Sequence, residues 1–510
     1  MATKTLTDRA TSIKPSDGYQ TLSGVNDLTD SIGTAAELTG NEKLAGRANT
    51  VKGVVSQAKH GASVMNDVIH RVQRISGGGT SQSQSLSKVK DETNPLDYLT
   101  ALFNRTPSGL QFTLETSGKV VFSVTGFNFR AGYNELYRLE IEASSPDSAV
   151  EAMTVLDNAA VLSIWQDGEV QQTISGMVTE FEQGDSGFRR TYYRLTIQPD
   201  LWRASLRHNS RIFQQKDIQS ILSVLLSENH VTDYGFTLRQ PHPVREFCVQ
   251  YQETDYAFLQ RLCAEEGIFY YFEQDEGRHR LVLTDDAVTL NDGVRLSYNP
   301  NKGAQLQEKV ITKFSYSERV RPSHTVLKDY TFKKPDWQAT YNEQAKDAEN
   351  QRTGYEHYDY PGRFKDGRGQ QYTRYRLESL RRDAHLGKGE SNSGQLQVGK
   401  RFVLSQHPNG RFNTTWQVVS LEMEGRQPQA VEQESGEKGT TLVSRFEFLP
   451  RQQNWRAEQR TKPRVDGPQI ALVTGPKEEE IYTDNFGRVK LQFLWDRYTQ
   501  NDDHSSCWIR

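Results

Sequence analysis

Three cysteines, Cys248, Cys263 and Cys507, are all that the 510 residues carry. They are too few and too scattered for a disulfide framework, and none stands in a CxxC pair with metal-ligand spacing, so all three read as reduced thiols. Long apolar runs are missing as well, since nothing approaches the roughly 18 consecutive apolar residues of a membrane span. The start, Met1 to Asp8, lacks the apolar core of a signal peptide, and the expectation is a cytoplasmic chain that leaves only by specialised machinery. Nor is there an excess of charge: 62 Lys and Arg against 65 Asp and Glu leave a net charge of −3. That balance is unsuited to holding nucleic acid by counterion release, and no nucleic-acid partner is expected.

Aromatic residues are almost absent from the first 95 positions, where Tyr19 stands alone. Residues 1–76 are therefore an appendage, helical or disordered, that cannot build the kind of core the rest can. Val51, Ala58, Met65 and Val72 recur every seven residues, as do Val54, Gly61, Val68 and Ile75. Both sets fall on one helical stripe, read as a docked helix or mobile amphipathic arm in preference to a coiled coil. Gly77-Gly78-Gly79 and the Ser/Gln run to Ser85 have no apolar surface to offset their ordering entropy, which makes residues 77–95 a flexible linker.

What is present is a wealth of large side chains, 22 Phe, 22 Tyr and 7 Trp, in a chain that is only 35% hydrophobic. The length fits three or four folded units. Beyond Pro95 the apolar pattern has period two. Phe112 and Leu114, a turn at Ser117-Gly118-Lys119, then Val120, Phe122 and Val124 predict a hairpin. Further hairpins are predicted with turns at Asp167-Gly168 and at Gly184 to Gly187. Helical spacing appears at Ile218, Ile221, Leu222 and Leu225, and at Phe258, Leu259, Leu262 and Cys263, with Gly267 as C-terminal cap. Strands resume at Ile268–Phe272, Leu281–Leu283, Arg401–Leu404, Trp416–Val419 and Leu442–Phe448. The proline-rich, charged stretch from Leu449 to Arg464 reads as a linker, followed by a hairpin around Asp484-Asn485-Phe486-Gly487. The class is α+β, mostly β, with antiparallel barrels or curved sheets.

Stretches that tempt a catalytic reading each fail on chemistry. Gly184-Asp185-Ser186-Gly187 resembles a serine-protease nucleophile motif, but Phe188 follows it and it is also what a hairpin turn wants. Gly394 to Arg401 fits a phosphate loop until its last position, which needs Ser or Thr and a following helix. His357 and Asp359 lack a companion ligand pair for a metal. Asp285/Asp286 and Asp502/Asp503 are adjacent pairs, which in a strand face opposite sides; they read as turn residues. Arg374, Arg376, Arg381 and Arg382 read as one solvated or partner-facing helix face. No catalytic, cofactor-binding or metal site is expected, and no cofactor.

The run Val249-Gln250-Tyr251-Gln252-Glu253-Thr254-Asp255-Tyr256-Ala257-Phe258-Leu259-Gln260-Arg261-Leu262, continued by Glu265-Glu266-Gly267-Ile268-Phe269-Tyr270-Tyr271-Phe272, resembles the signature of the VgrG spike family of type VI secretion, and more distantly the central hub of contractile phage tails. Ser210-Arg211-Ile212-Phe213-Gln214, Tyr358-Asp359-Tyr360-Pro361-Gly362 and Glu480 to Arg497 with Ser505-Ser506-Cys507-Trp508-Ile509-Arg510 extend the likeness over roughly Phe112 to Arg510. The resemblance implies a tail-hub region at residues 96–460 with two related β-barrels and small α/β parts. It also implies the start of an oligonucleotide/oligosaccharide-fold (OB-fold) domain at 461–510, with the needle absent. By the same resemblance the chain is a structural, non-enzymatic homotrimer. Its six barrels would seat on the hexameric Hcp tube, and the missing needle would carry a PAAR tip, with effectors or baseplate proteins as further partners. It would be exported by the type VI machine without a signal peptide. A phage-derived tail hub, a hydrolase using Ser186, and an arm at Val51–Ile75 that binds cargo or chaperone are the alternatives.

Overall fold

The computed structural model describes residues 109–510, apart from 119, 302–307, 349–350, 431–438, 478–480 and 499–506. The appendage, its heptad seam, the linker at 77–95 and Asp502/Asp503 lie outside the described residues.

Six strands form the first unit: β1 (Leu110–Thr116), β2 (Ser123–Gly132), β3 (Arg138–Ser145), β4 (Ala159–Gln166), β5 (Glu169–Ser186) and β6 (Thr191–Gln198). Their spatial order is β1-β4-β5-β6-β3-β2. Period-two alternation does the work expected of it. Leu139, Ile141 and Ala143 of β3 point inward opposite Ile197, Leu195 and Tyr193 of β6, all at most 2% exposed, while Arg138 and Glu142 face water. The Asp167-Gly168 turn forms as predicted, with both residues at positive φ (53° and 86°), the type I′ geometry that matches strand twist. Strand β5 runs through Gly184 to Ser186, so the next turn falls later, where Gly187 donates to the carbonyl of Arg190. The first predicted hairpin is corrected. β1 pairs along its whole length with β4, and a single bridge, Leu114 to Phe122, joins it to the approach of β2. Alternation specifies which face a strand buries, not which strand lies beside it.

The middle of the chain holds β7 (His208–Lys216), α1 (Ile218–Glu228), β8 (Tyr234–Thr237), β9 (Arg245–Thr254), α2 (Asp255–Glu265), β10 (Phe269–Asp275) and β11 (Arg278–Thr284). Asp217 caps α1 by accepting from the Ser220 N–H at 2.8 Å, and the helix buries Ile218, Ile221, Leu222 and Leu225. Gly267 ends α2 at φ +67°, and the Ile268 N–H reaches back to the Cys263 carbonyl at 2.8 Å.

A second ring follows: β12 (Asn291–Tyr298) and β13 (Val310–Glu318), then an inserted lobe of β14 (His324–Lys328), β15 (Thr340–Gln344), β16 (Glu356–Asp359) and α3 (Gly369–Leu380), then β17 (His385–Ser391), β18 (Lys400–Ser405), β19 (Thr415–Arg426) and β20 (Thr441–Pro450). The order β19-β18-β12-β13-β17-β20 returns from β20 to β19, a closed six-stranded barrel that leaves no free edge. Phe402, Trp416, Phe446 and Phe448 fill it with edge-to-face and tilted ring contacts. The β2–β19 ladder fuses this barrel to the first ring in one 12-stranded sheet.

Residues 451–470 form no helix or strand, and β21 (Ala471–Thr474), β22 (Val489–Phe493) and β23 (Cys507–Ile509) make an antiparallel meander. The predicted hairpin around Asp484 shrinks to one bridge, Thr483 to Val489, because β22 takes β21 and β23 as its neighbours.

Candidate functional site

The signature run sits where the strands of the middle region meet α2, and Gln250, Asp255, Gln260, Arg261, Glu265 and Glu266 within it are buried. Thr254 caps α2, accepting from the Ala257 N–H at 3.1 Å. Asp255, fully buried, accepts from Gln250 (2.7 Å) and Asn229 (2.9 Å) and faces Arg207 and Arg211 at 3.5 and 3.8 Å. Arg261 returns to Glu253 at 2.5 Å, fixing the helix to the strand that precedes it. Gln260 donates to Tyr256 and to the Asn134 carbonyl, tying α2 to the first ring.

At the other end of α2 a denser ion network forms. His242 Nδ1 lies 2.9 Å from Glu266, and its Nε2 lies 3.3 Å from Asp285. Burial works against its charge, yet the hydrogen bonds to Asp285 and Glu266 outweigh burial and raise its pKa to about 9. Burial would likewise raise Glu266, but His242 and Arg245 bring it down to about 2. Arg245 pairs with Glu266 and, at 3.6 Å, with Glu265, which also meets Lys462 at 3.3 Å. The Tyr372 hydroxyl donates to Glu266 at 2.9 Å. A buried imidazolium between two carboxylates has no lone pair for base catalysis at neutral pH. Each charge faces an opposite charge inside the cluster, which ties the end of α2 to the His242 and Asp285 segments, to Lys462 and, through the Tyr372 hydroxyl, to α3.

One constellation has the composition of a hydrolytic triad: Ser175 Oγ lies 3.5 Å from His279 Nδ1, and Nε2 lies 3.4 Å from Asp200. The serine is not presented to a substrate, and the imidazole is engaged by Asp200 through both its backbone N–H at 3.2 Å and its carboxylate. Ser175 is also only 4% exposed and shared with Gln274.

The sequence candidates scatter. Ser186, at the end of β5, accepts from the Thr191 hydroxyl at 3.0 Å and has no imidazole hydrogen-bond partner among the described residues. Arg401 lies in β18, without a helix after the would-be phosphate loop; its guanidinium donates to the carbonyls of Ala287 and Val288. His357 and Asp359 sit on β16, where Asp359 pairs with Arg376 at 2.7 Å. Among the described residues no group of three or more His, Cys, Asp and Glu is placed to hold a metal. Asp286 caps a turn, as expected, whereas Asp285 is fully buried and accepts from the Arg239 and Gln240 N–H groups as well as His242. The arginine run is not one face: Arg374, Arg376, Arg381 and Arg382 reach Glu378, Asp359, Asp347 and Glu458 in turn, and Arg381 is 7% exposed. His242, Gln427 and Arg456 are the residues that sequence reasoning missed, because each sits in a segment without periodicity.

The fold and this interior define a scaffold: two six-stranded rings fused by the β2–β19 ladder, with buried ion networks inside the middle region. The chain belongs to the phage tail baseplate hub (GPD) family, whose model matches residues 130–429. It is 43% identical over 376 residues to the type VI secretion system spike protein VgrG3 of Vibrio cholerae, covering 73% of this chain and 37% of that one. It is 39% identical over 407 residues to the spike protein VgrG2b of Pseudomonas aeruginosa, covering 79% and 40%. An actin cross-linking toxin, VgrG1 of Vibrio cholerae, is 42% identical over 376 residues, covering 73% and 34%. The chain thus spans only between 34% and 40% of these relatives' lengths. In structure it is similar to the E. coli c3393 protein, a type VI secretion component with similarity to the T4 tail proteins gp27 and gp5. The TM-score is 0.57 at 19% identity, covering 75% of this chain and 88% of that one.

Proposed function

We propose that the chain is the hub of a type VI secretion spike: a homotrimer that seats on the Hcp tube, carries a needle with a PAAR tip, and is expelled with the tube by the machine itself. The observation that carries this reading is the 43% identity to a spike protein over 376 residues. The charge-paired interior supports a structural, non-enzymatic role for residues 109–510. The C-terminal meander is the opening of an OB-fold domain in this reading, and effectors or baseplate proteins are further partners. Among the described residues, no helix is long and apolar enough to cross a membrane, which accords with export by the machine.

Sedimentation equilibrium tests the assembly: the expected mass is three times that of the 58.2 kDa chain, and a stable dimer overturns the six-barrel ring. In the producing bacterium, deletion of the gene is expected to stop release of tube protein. A phage-derived tail hub is the second reading, favoured by the family model itself; tube-protein release unaffected by the deletion would select it.

A further inference from the structure

The lobe between β13 and β17 has an apolar core of its own. Leu327, Ala339, Phe364, Tyr372 and Tyr375 form a cluster separate from the one that runs through both rings. Its two ends meet at a neck, where Arg319 donates its N–H to the Ala384 carbonyl at 2.8 Å and Asp383 clips both Arg319 (2.8 Å) and Arg321 (2.5 Å). Adjacent ends and a private core are the anatomy of an inserted unit.

What holds this unit to the hub is mainly polar, beside the Tyr375 ring that packs against Gly267. Arg456, 1% exposed although it comes from a segment with no helix or strand, lays its guanidinium over the Tyr375 ring at 4.7 Å from the centroid. It donates to Glu378 of α3 at 2.6 Å on the lobe side, and to the carbonyls of Gly267 and of Asp285 (2.7 Å) on the hub side. The segment around it is tied in the same way: Ser379 donates to the Ala457 carbonyl, Arg382 meets Glu458 at 3.1 Å, and Gln459 donates to the Ala264 carbonyl. Tyr372 to Glu266 is a further link.

We propose that the lobe is a separate cooperative unit, pinned to the hub by Arg456 through the strap at residues 453–462, and that it undocks as a body about the Asp383 neck when the pin is removed. A seam made mainly of hydrogen bonds and ion pairs between two separate cores has defined geometry, and opening it leaves the packing inside each core intact.

Hydrogen exchange by mass spectrometry on the full chain tests this, comparing wild type with Arg456→Met and with Tyr372→Phe. In Arg456→Met, peptides across 323–345 and 355–380 are expected to accelerate by a common factor of at least about tenfold, while those from β3, β6 and β19 keep wild-type rates. Tyr372→Phe, which loses one hydroxyl and keeps the ring, should give a smaller increase in the same peptides; it decides the matter if Arg456→Met does not fold. Equal acceleration of rings and lobe, unequal factors within the lobe, or no change in either variant overturns the proposal.

Discussion

The side-chain amide of Gln427 takes both backbone groups of Phe112, 315 residues earlier: its Oε1 accepts from the Phe112 N–H at 2.6 Å and its Nε2 donates to the Phe112 carbonyl at 3.3 Å. Nε2 also donates to the Val124 carbonyl at 3.0 Å. The first ring closes between β1 and β2 with a single backbone bridge, and this amide stands in for the missing rungs. A side chain from the second ring thus completes the first.

Replacing Gln427 with Ala should leave the Phe112 groups and the Val124 carbonyl buried without partners. The expected cost is about 1–3 kcal/mol, read as a lower denaturant midpoint, together with faster exchange of the Phe112 amide. An unchanged midpoint would show that water or relaxed strands replace the amide at no cost.

Gly267 is required twice over. Its φ of +67° disfavours any side chain, and a Cβ there would lie 2.6 Å from the Tyr375 ring of α3. Gly267→Ala should therefore cost more than Gly168→Ala, whose φ of +86° is similarly strained but whose Cβ would meet nothing within 4 Å. The turn variant isolates the backbone term, about 1 kcal/mol; the excess at Gly267, about 1–3 kcal/mol, measures how tightly the lobe lies on the hub. Equal thermal shifts would mean the lobe gives way freely.

The network around His242 sets a pH window. Its pKa is raised from 6.5 to about 9, so its stabilisation is complete below about 6.5 and is lost as pH rises through about 9. Glu266 is lowered from 4.5 to about 2, so its contribution is complete above about 4.5 and is lost as pH falls through about 2. Urea midpoints should be highest between these limits. His242→Gln should flatten the alkaline limb and, near pH 6, cost on the order of 3 kcal/mol, because it leaves Glu266 and Asp285 buried with less positive charge. A wild-type alkaline limb in the variant would place the titration elsewhere.

Neither serine should act on a substrate. Ser175→Ala and Ser186→Ala are both expected to leave hydrolysis of generic esters and peptides at the level of the parent chain. Loss of a measurable rate on either substitution would restore the hydrolase reading.

The sequence by itself determined the β-rich class, the two helices at Ile218 and Phe258, the Asp167-Gly168 turn and the cap at Gly267, because periodicity, capping and positive φ are local properties that neighbours a few residues apart enforce. The signature run was also legible as a motif, and its buried residues Gln250, Asp255, Gln260, Arg261 and Glu266 each proved to have a hydrogen-bond or ion-pair partner. What the tertiary structure decided were the long-range pairings. β1 chose β4 over β2, the arginines of α3 and the turn after it dispersed to four carboxylates, and Asp285 joined His242 in the interior instead of staying at a turn. Gln427 and Arg456 carry no local signal at all. Each lies in an aperiodic stretch, and its partners, Phe112 in one case and Gly267, Asp285 and Glu378 in the other, come within reach only once both rings and the lobe have folded.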